Sequence, residues 1–104
     1  MRMRMLYLPI RIKRNDESNR KHLNKLIIDY LMKHKILGAT VWNGFDSFGK
    51  RRRSTVTIEG ITINMPLVIE VIDERSKLES LLPDLKTRID DNGIVTIHDE
   101  VDVI

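Results

Sequence analysis

A chain of 104 residues, 41% hydrophobic and 32% charged, has the length of one domain and the apolar content of a folded one, which excludes a disordered segment. It has no run of ~18 apolar residues, so no transmembrane helix is expected, and no cysteine, which excludes disulfides, thiolate metal sites and cysteine nucleophiles. The net charge of +3 conceals a division: residues 1–58 hold 14 Lys and Arg against 4 Asp and Glu, whereas residues 59–104 hold 4 against 11.

A basic first half suits an anionic ligand, a nucleic acid or an acidic lipid. It equally suits attraction between the two halves, within or between subunits. The absence of cysteine fits a cytoplasmic location. The start, MRMRMLYLPIRIKR, is cationic and then apolar, but Arg11 and Lys13 interrupt the apolar part and no small-residue cleavage site follows. It reads as a strand and not as a signal peptide.

The first strand is expected over about Met3 to Lys13. Leu6, Leu8, Ile10 and Ile12 alternate onto one face, with Met5 and Tyr7 on the other beside Arg11 and Lys13. Pro9 has no N–H to give a ladder, so an interrupted pairing or an edge-facing position is expected there. Asn15, Asp16 and Ser18 offer N-caps for a helix over about Ser18 to Lys35, with Glu17 near its positive end. Its stripe is Leu23, Leu26, Ile27, Tyr30, Leu31 and His34, spaced by three and four. Gly38 is expected to close this helix or to turn the chain.

A second strand spans about Ala39 to Phe45. A loop follows with Gly44, Phe45, Phe48 and Gly49, ending in four consecutive cations, Lys50 to Arg53. Thr55 to Asn64 alternates on both sides of Glu59-Gly60, as a small hairpin would. The next strand, Pro66 to Asp73, sets Leu67, Ile69 and Val71 on one face and Val68 and Ile72 on the other beside Glu70. A strand apolar on both faces needs cover on both; one helix layer covers one, and a neighbouring subunit is the simplest cover for the other. Asp73 is an N-cap for a second helix with the stripe Leu78, Leu81, Leu82, Leu85 and Ile89. Pro83 is expected to kink it or end a first segment near Leu82. Asn92-Gly93 ends the helical stretch, Ile94 to His98 is the last long strand, and Val101 to Ile104 is a short tail strand. The order predicts one domain over residues 1–104, a ferredoxin-like βαββαβ α+β sandwich. It has a four-stranded antiparallel sheet, both helices on one face, and an extended loop or hairpin between the second and third core strands.

The loop supplies the best candidate site. Gly44, Phe48, Gly49, Arg51, Arg52 and Arg53 could hold an anion or a nucleotide, because glycine backbone approaches phosphate closely and Arg binds it bidentately. The segment is neither GxGxxG nor a Walker loop, so solvated surface charge is the competing reading. Trp42 and Phe45 suit base stacking or a subunit interface; the interface is favoured for Phe45, and Trp42 stays open between the two. His22 and His34 are ~18 Å apart along one helix and cannot share a metal within a chain; only His98, with Asp99 and Glu100, offers a metal reading. Of the carboxylate pairs Asp73/Glu74, Asp90/Asp91 and Asp99/Glu100, Asp73 is explained as a cap and Asp90/Asp91 as a turn, and the sequence does not set two carboxylates across a cleft as acid and base. Ser47, Ser54 and Thr55 lack an adjacent base. No metal site, no cofactor beyond an adenine nucleotide effector and no enzyme activity are expected. Nucleic acid is disfavoured, because the central strands supply only Tyr7 as a stacking aromatic.

GATVWNGFDSFGKRRRST resembles the pattern GATV-x-RG-x-x-G[FY]G followed by His-Thr in PII-like proteins of domain-of-unknown-function family 190. Gly38, Ala39, Thr40, Val41, Gly44, Phe48, Gly49 and Thr55 match it. The run Pro66 to Asp73, the segments Lys77 to Glu79 and Leu81 to Leu85, and the ending Gly93 to Ile104 resemble its later motifs. Asp16, Lys21 and Leu23 resemble the start of its first helix. Asn43 stands where the family has Arg, Ser47 where it has Gly, and Ser54 where it has His. Lys13, Arg14 and Asn15 replace its glycine-serine start, and Arg20 another glycine.

The resemblance implies a PII-like ferredoxin fold and a homotrimer with sheets packed inward, which would cover the second sheet face. It implies adenine nucleotides in inter-subunit clefts at the base of the loop. It also implies regulation of a partner, such as a membrane transporter, through residues 44–64. The alternatives are a nucleic-acid-binding module and a metal-handling trimer like the CutA group.

Overall fold

The computed structural model describes residues 3–13, 17–18, 21–44, 46–47, 54–55 and 66–104. Strand β1 (Met3–Lys13) is followed by a two-residue ladder of β2 (Glu17–Ser18) with β3 (Lys21–His22), then by helix α1 (Leu23–Lys33) and β4 (Ala39–Asn43). A second short ladder joins β5 (Asp46–Ser47) to β6 (Ser54–Thr55). Then come β7 (Pro66–Asp73), α2 (Arg75–Ile89), a 3-10 turn over Asp90–Asn92, β8 (Ile94–Val95) and β9 (His98–Val103).

The main sheet is antiparallel in the order β4-β7-β1-β8, with β9 also paired to β1. This is the expected ferredoxin-like arrangement with one difference: five strands fill the four positions. The last position is shared by β8, which pairs with Ile10 and Arg11, and β9, which pairs with Met3 to Tyr7. The expected strand from Ile94 to His98 is therefore split, and the expected tail strand is the continuation of β9. Pro9 is the physical reason. The Thr96 amide donates to the Pro9 carbonyl at 3.1 Å, and proline has no N–H to return the bond. Pairing lapses at Thr96 and Ile97, and the buried Thr96 hydroxyl has no partner among the described residues.

Period-two alternation puts Leu6, Leu8, Ile10 and Ile12 of β1 beside Leu67, Ile69 and Val71 of β7, all buried. Leu23, Ile27, Tyr30 and Leu31 of α1 and Leu78, Leu81, Leu85 and Ile89 of α2 complete this cluster on the helix side. Truncating a residue such as Ile69 or Leu85 to Ala here costs about 2–5 kcal/mol. Gly93 passes so close to the Arg11 carbonyl and the Ile12 side chain that a Cβ could not be accommodated without displacement.

The helix ends differ from expectation. The apolar stripe of α1 starts at Leu23, and the helix starts there too; the polar residues before it have no face to bury. Ser18 lies in the β2–β3 ladder and His22 is the N-cap, without a side-chain capping bond. The other expected caps, Asn15 and Asp16, lie outside the described residues. Of the stripe, Leu26 is half-buried and His34 is exposed at the C-cap.

Gly38 does not stop the helix. Lys35 does, with φ at 59°. Its amide donates to the Met32 carbonyl at 3.0 Å, and the Ile36 amide to the Leu31 carbonyl at 3.1 Å. These are the two bonds of a Schellman closure, and Ile36 packs against the core beside it. Of the two outcomes expected at Pro83, a kink or an end near Leu82, helix α2 does not end: it continues through Pro83 to Ile89. Proline leaves the Glu79 carbonyl without its helix donor, but both residues are exposed to water, and the buried leucines on either side hold the helix together.

Asp73 does not act as the cap of α2 either; Glu74 holds that position. Asp73 is buried, with 1% exposure. Its carboxylate accepts from the Leu37 amide at 2.9 Å and the Glu74 amide at 2.7 Å, and pairs with Lys77 at 3.1 Å. Lys77 also donates to the Lys35 carbonyl. One carboxylate thus ties the α1–β4 connection to the end of β7 and the first turn of α2.

Candidate functional site

The place where residues 45–65 leave the sheet is a narrow neck. The Gly44 amide donates to the Pro66 carbonyl at 2.6 Å. A Cβ on Gly44 would lie 2.5 Å from Pro66 Cγ and 3.2 Å from its Cβ. Glycine is needed here for close approach to a proline ring. Its N–H is already committed, so Gly44 contributes shape to a site and not a free donor.

Beyond the neck, Asp46 pairs with Thr55 and Ser47 with Ser54. In the sequence, Phe48 to Arg53, with the cation run, stands between these two strands. Of the expected ligand residues, Gly44 is thus at the neck. Phe48, Gly49, Arg51, Arg52 and Arg53 lie outside the described residues, as do Phe45 and the expected Glu59-Gly60 turn.

Trp42 is on β4, two residues before the neck, and is 56% exposed. It pairs with Val68 and so shares the sheet face turned away from the helices. That face also carries Met3, Tyr7, Pro9 and Arg11 of β1, Val68, Glu70 and Ile72 of β7, and Ile94 of β8. Met3 and Ile94 are exposed, and Val68 and Ile72 are half-buried. Cover over this face is expected from the sequence; among the described residues Met3, Arg11, Trp42 and Ile94 are exposed on it, whereas Met5 and Pro9 are buried.

A polar group sits within it. The Tyr7 hydroxyl donates to the Glu70 carboxylate at 2.7 Å, and the His98 ring meets the Tyr7 ring edge-on at 5.0 Å. The bond to Glu70 holds the Tyr7 phenol above its ordinary pKa; burial and the carboxylate charge act the same way, and Arg11 opposes them. In the sequence Tyr7 and Glu70 fall on separate strands that no local pattern joins. A carboxylate with apolar residues on both sides in the run Leu67 to Ile72 is the available signal.

The remaining candidates are explained locally. His34 packs on the Tyr30 ring at 4.5 Å, and the Arg88 guanidinium lies 4.5 Å over the same ring. The Tyr30 hydroxyl donates to Asp84 at 3.0 Å. Burial, then this bond and the Asp84 charge, hold the Tyr30 phenol above its ordinary value. His22 is at the other end of α1. Glu100 bridges Arg4 at 3.0 Å and Arg75 at 3.1 Å at the protein surface, and these two cations hold its carboxyl below the usual range. Asp90 occupies the expected turn with φ at 50°. Among the described residues no three His, Asp or Glu side chains gather as metal ligands, and no helix is long and apolar enough to cross a membrane.

The family model DUF190, described as Uncharacterized ACR, matches residues 5–103. A UPF0166 protein of Methanocaldococcus jannaschii is 30% identical over 92 residues, which cover 88% of this chain and 85% of that protein. Among solved structures, CPII of Thiomonas intermedia K12, a nitrogen regulatory PII-like protein bound to ADP, AMP and bicarbonate, is similar with a TM-score of 0.78. Identity is 13%, over 99% of this chain and 91% of that one. A PII-like signaling protein of Thermus thermophilus is similar with a TM-score of 0.69 at 12% identity, over 99% and 92% of the two chains. At these identities the likeness establishes a PII-like fold.

Proposed function

This chain belongs to the DUF190 family, and we propose that it is a PII-like signalling protein without catalytic activity. In this reading it is a homotrimer that binds a small anionic effector, an adenine nucleotide first among them, in the clefts between subunits. It regulates a protein partner, such as a membrane transporter, through residues 44–64.

The observation that carries the proposal is the neck. Gly44 and Pro66, which bracket residues 45–65 in the sequence, meet at one hydrogen bond, and the Lys50 to Arg53 run stands in the sequence between β5 and β6. A tethered cationic excursion is suited to two tasks, gripping an anion near its base and reaching into a partner. The PII-like fold of the chain and the ADP- and AMP-bound state of CPII favour a nucleotide as that anion. The open apolar sheet face supports self-association, since exposed Trp42, Ile94 and Met3 are poor company for water.

In this assignment Gly44 shapes the base, Phe48 and Gly49 line it, and Arg51, Arg52 and Arg53 supply bidentate donors to phosphate. Trp42 and Phe45 serve stacking or the subunit contact. Asn43 and Ser54 replace the Arg and His of the family pattern, so the Arg run carries the charge.

Calorimetric titration of ATP, ADP and AMP into the wild-type protein and an Arg51→Ala/Arg52→Ala/Arg53→Ala variant tests this. Weaker binding by the variant is expected. Equal affinity would remove the three arginines from the site, and no binding by wild type would remove the nucleotide.

A further inference from the structure

The outer sheet face holds a cation in the middle of an apolar row. Pairing sets Trp42 opposite Val68, Val68 opposite Arg11, and Arg11 opposite Ile94. Directly paired residues share a face, so these four side chains cross the sheet side by side. Arg11 is exposed, and among the described residues no carboxylate lies within ion-pair distance of it.

The next row holds Thr40, Glu70 and Pro9. Glu70 is half-buried and, among the described residues, accepts one side-chain bond, from the Tyr7 hydroxyl. A carboxylate has about four acceptor sites, so most of its capacity is unused by that bond. The same apolar face therefore presents a guanidinium with no ion pair among the described residues and a carboxylate already fixed in position.

Covering this face with a second copy would bury Arg11. A buried charge without a counterion is strongly unfavourable, whereas a matched and hydrogen-bonded pair is tolerated. The face itself supplies the match. We infer that in the assembled protein Arg11 of one copy pairs with Glu70 of the adjacent copy, with Tyr7 holding the carboxylate in place. The pair selects the relative orientation of the copies, while the apolar residues around it drive association. Each copy gives one Arg11 and receives one at Glu70, which suits a closed ring of identical contacts.

This inference rests on the homotrimer reading, and the test separates the two. Native mass spectrometry and sedimentation are run on the wild type, on Arg11→Glu, on Glu70→Arg, and on an equimolar mixture of these variants. Each single variant sets like charges against each other and is expected to weaken assembly at least about tenfold. The mixture is expected to regain mixed oligomers in part, because in a ring of three copies drawn from both variants two of the three contacts between positions 11 and 70 carry opposite charges and one keeps like charges. Pairing within one chain would give no such recovery.

Far-UV circular dichroism checks that the variants fold. Glu70→Gln keeps an acceptor for Tyr7 while removing the charge, and is expected to weaken assembly with its fold intact. Wild type that is monomeric at all concentrations overturns the trimer and this pair together. An oligomeric wild type with indifferent single variants, or with variants that do not recover on mixing, overturns the pair alone.

Discussion

The Gly44 amide and the Pro66 carbonyl meet at 2.6 Å, so β4 leaves the sheet and β7 joins it at a single closed point. The closure depends on the absence of a side chain at position 44. A Cβ there would lie 2.5 Å from Pro66 Cγ, and a proline ring cannot rotate away as a flexible side chain would. Gly44→Ala is expected to destabilise by about 1–3 kcal/mol, as overpacking does. Gly38 is the control: a Cβ there meets nothing within 4 Å. Gly38→Ala is expected to be neutral or to stabilise by up to ~1 kcal/mol through the unfolded chain. Urea unfolding midpoints of the two variants decide it; similar shifts in both would mean that the Pro66 contact does not matter.

Lys35 closes α1 in the left-handed region, where a side chain costs roughly 1–2 kcal/mol. Its carbonyl accepts from Lys77, and its amide bonds to Met32. Both are backbone groups and survive replacement of the side chain. Lys35→Gly is therefore expected to raise the melting temperature, with a gain of about 1 kcal/mol. Lys35→Val, with a branched Cβ in the same conformation, is expected to lower it. A calorimetric scan in which Val melts above Gly would refute strain at this position.

The sheet and the helix stripes were legible because they rest on periodicity. Leu6, Leu8, Ile10 and Ile12 repeat at two, and Leu23, Ile27, Tyr30 and Leu31 at three and four; all became core. Pro9 announced its interruption because a missing N–H is a fixed property of the residue. The ends of α1 were less legible. Ser18 bonds as readily in a turn as at a cap, and nothing in the local sequence marks Lys35 as the residue that bends backward. Pro83 does not end α2 because its cost is local, while the burial of Leu78, Leu81, Leu85 and Ile89 is shared along the whole helix.

The candidate site was legible only in part. Trp42 and the glycine at 44 stood out by residue type. The Tyr7–Glu70 bond did not, because it joins residues 63 apart whose meeting depends on strand register. Tyr7→Phe removes this bond and leaves the ring packing on His98. Losing a hydrogen bond to a carboxylate is expected to lower stability by roughly 1–3 kcal/mol, read from the urea unfolding midpoint. An unchanged midpoint would show that the Tyr7 hydroxyl contributes nothing to holding Glu70.

Asp73 makes the clearest prediction for pH. Burial alone would push its carboxyl up. The Leu37 and Glu74 amides and the Lys77 ammonium outweigh burial and hold it below the ordinary carboxylate value. A group held lower in the folded state than in the unfolded chain contributes stability that is complete above the unfolded value of ~3.9. That stability is lost as pH falls through the lower folded value. Wild type is therefore expected to lose stability below ~pH 4, partly through this carboxylate. Asp73→Asn removes the titrating group, leaves Lys77 without its counterion, and replaces one acceptor oxygen with a donor. Its expected cost at neutral pH is about 1–3 kcal/mol, and its stability should fall less steeply in acid. Because Glu100 is also held low by Arg75 and Arg4, the comparison is made in a Glu100→Gln background. Parallel acid curves for that background with and without Asp73→Asn would mean that another carboxylate carries the transition.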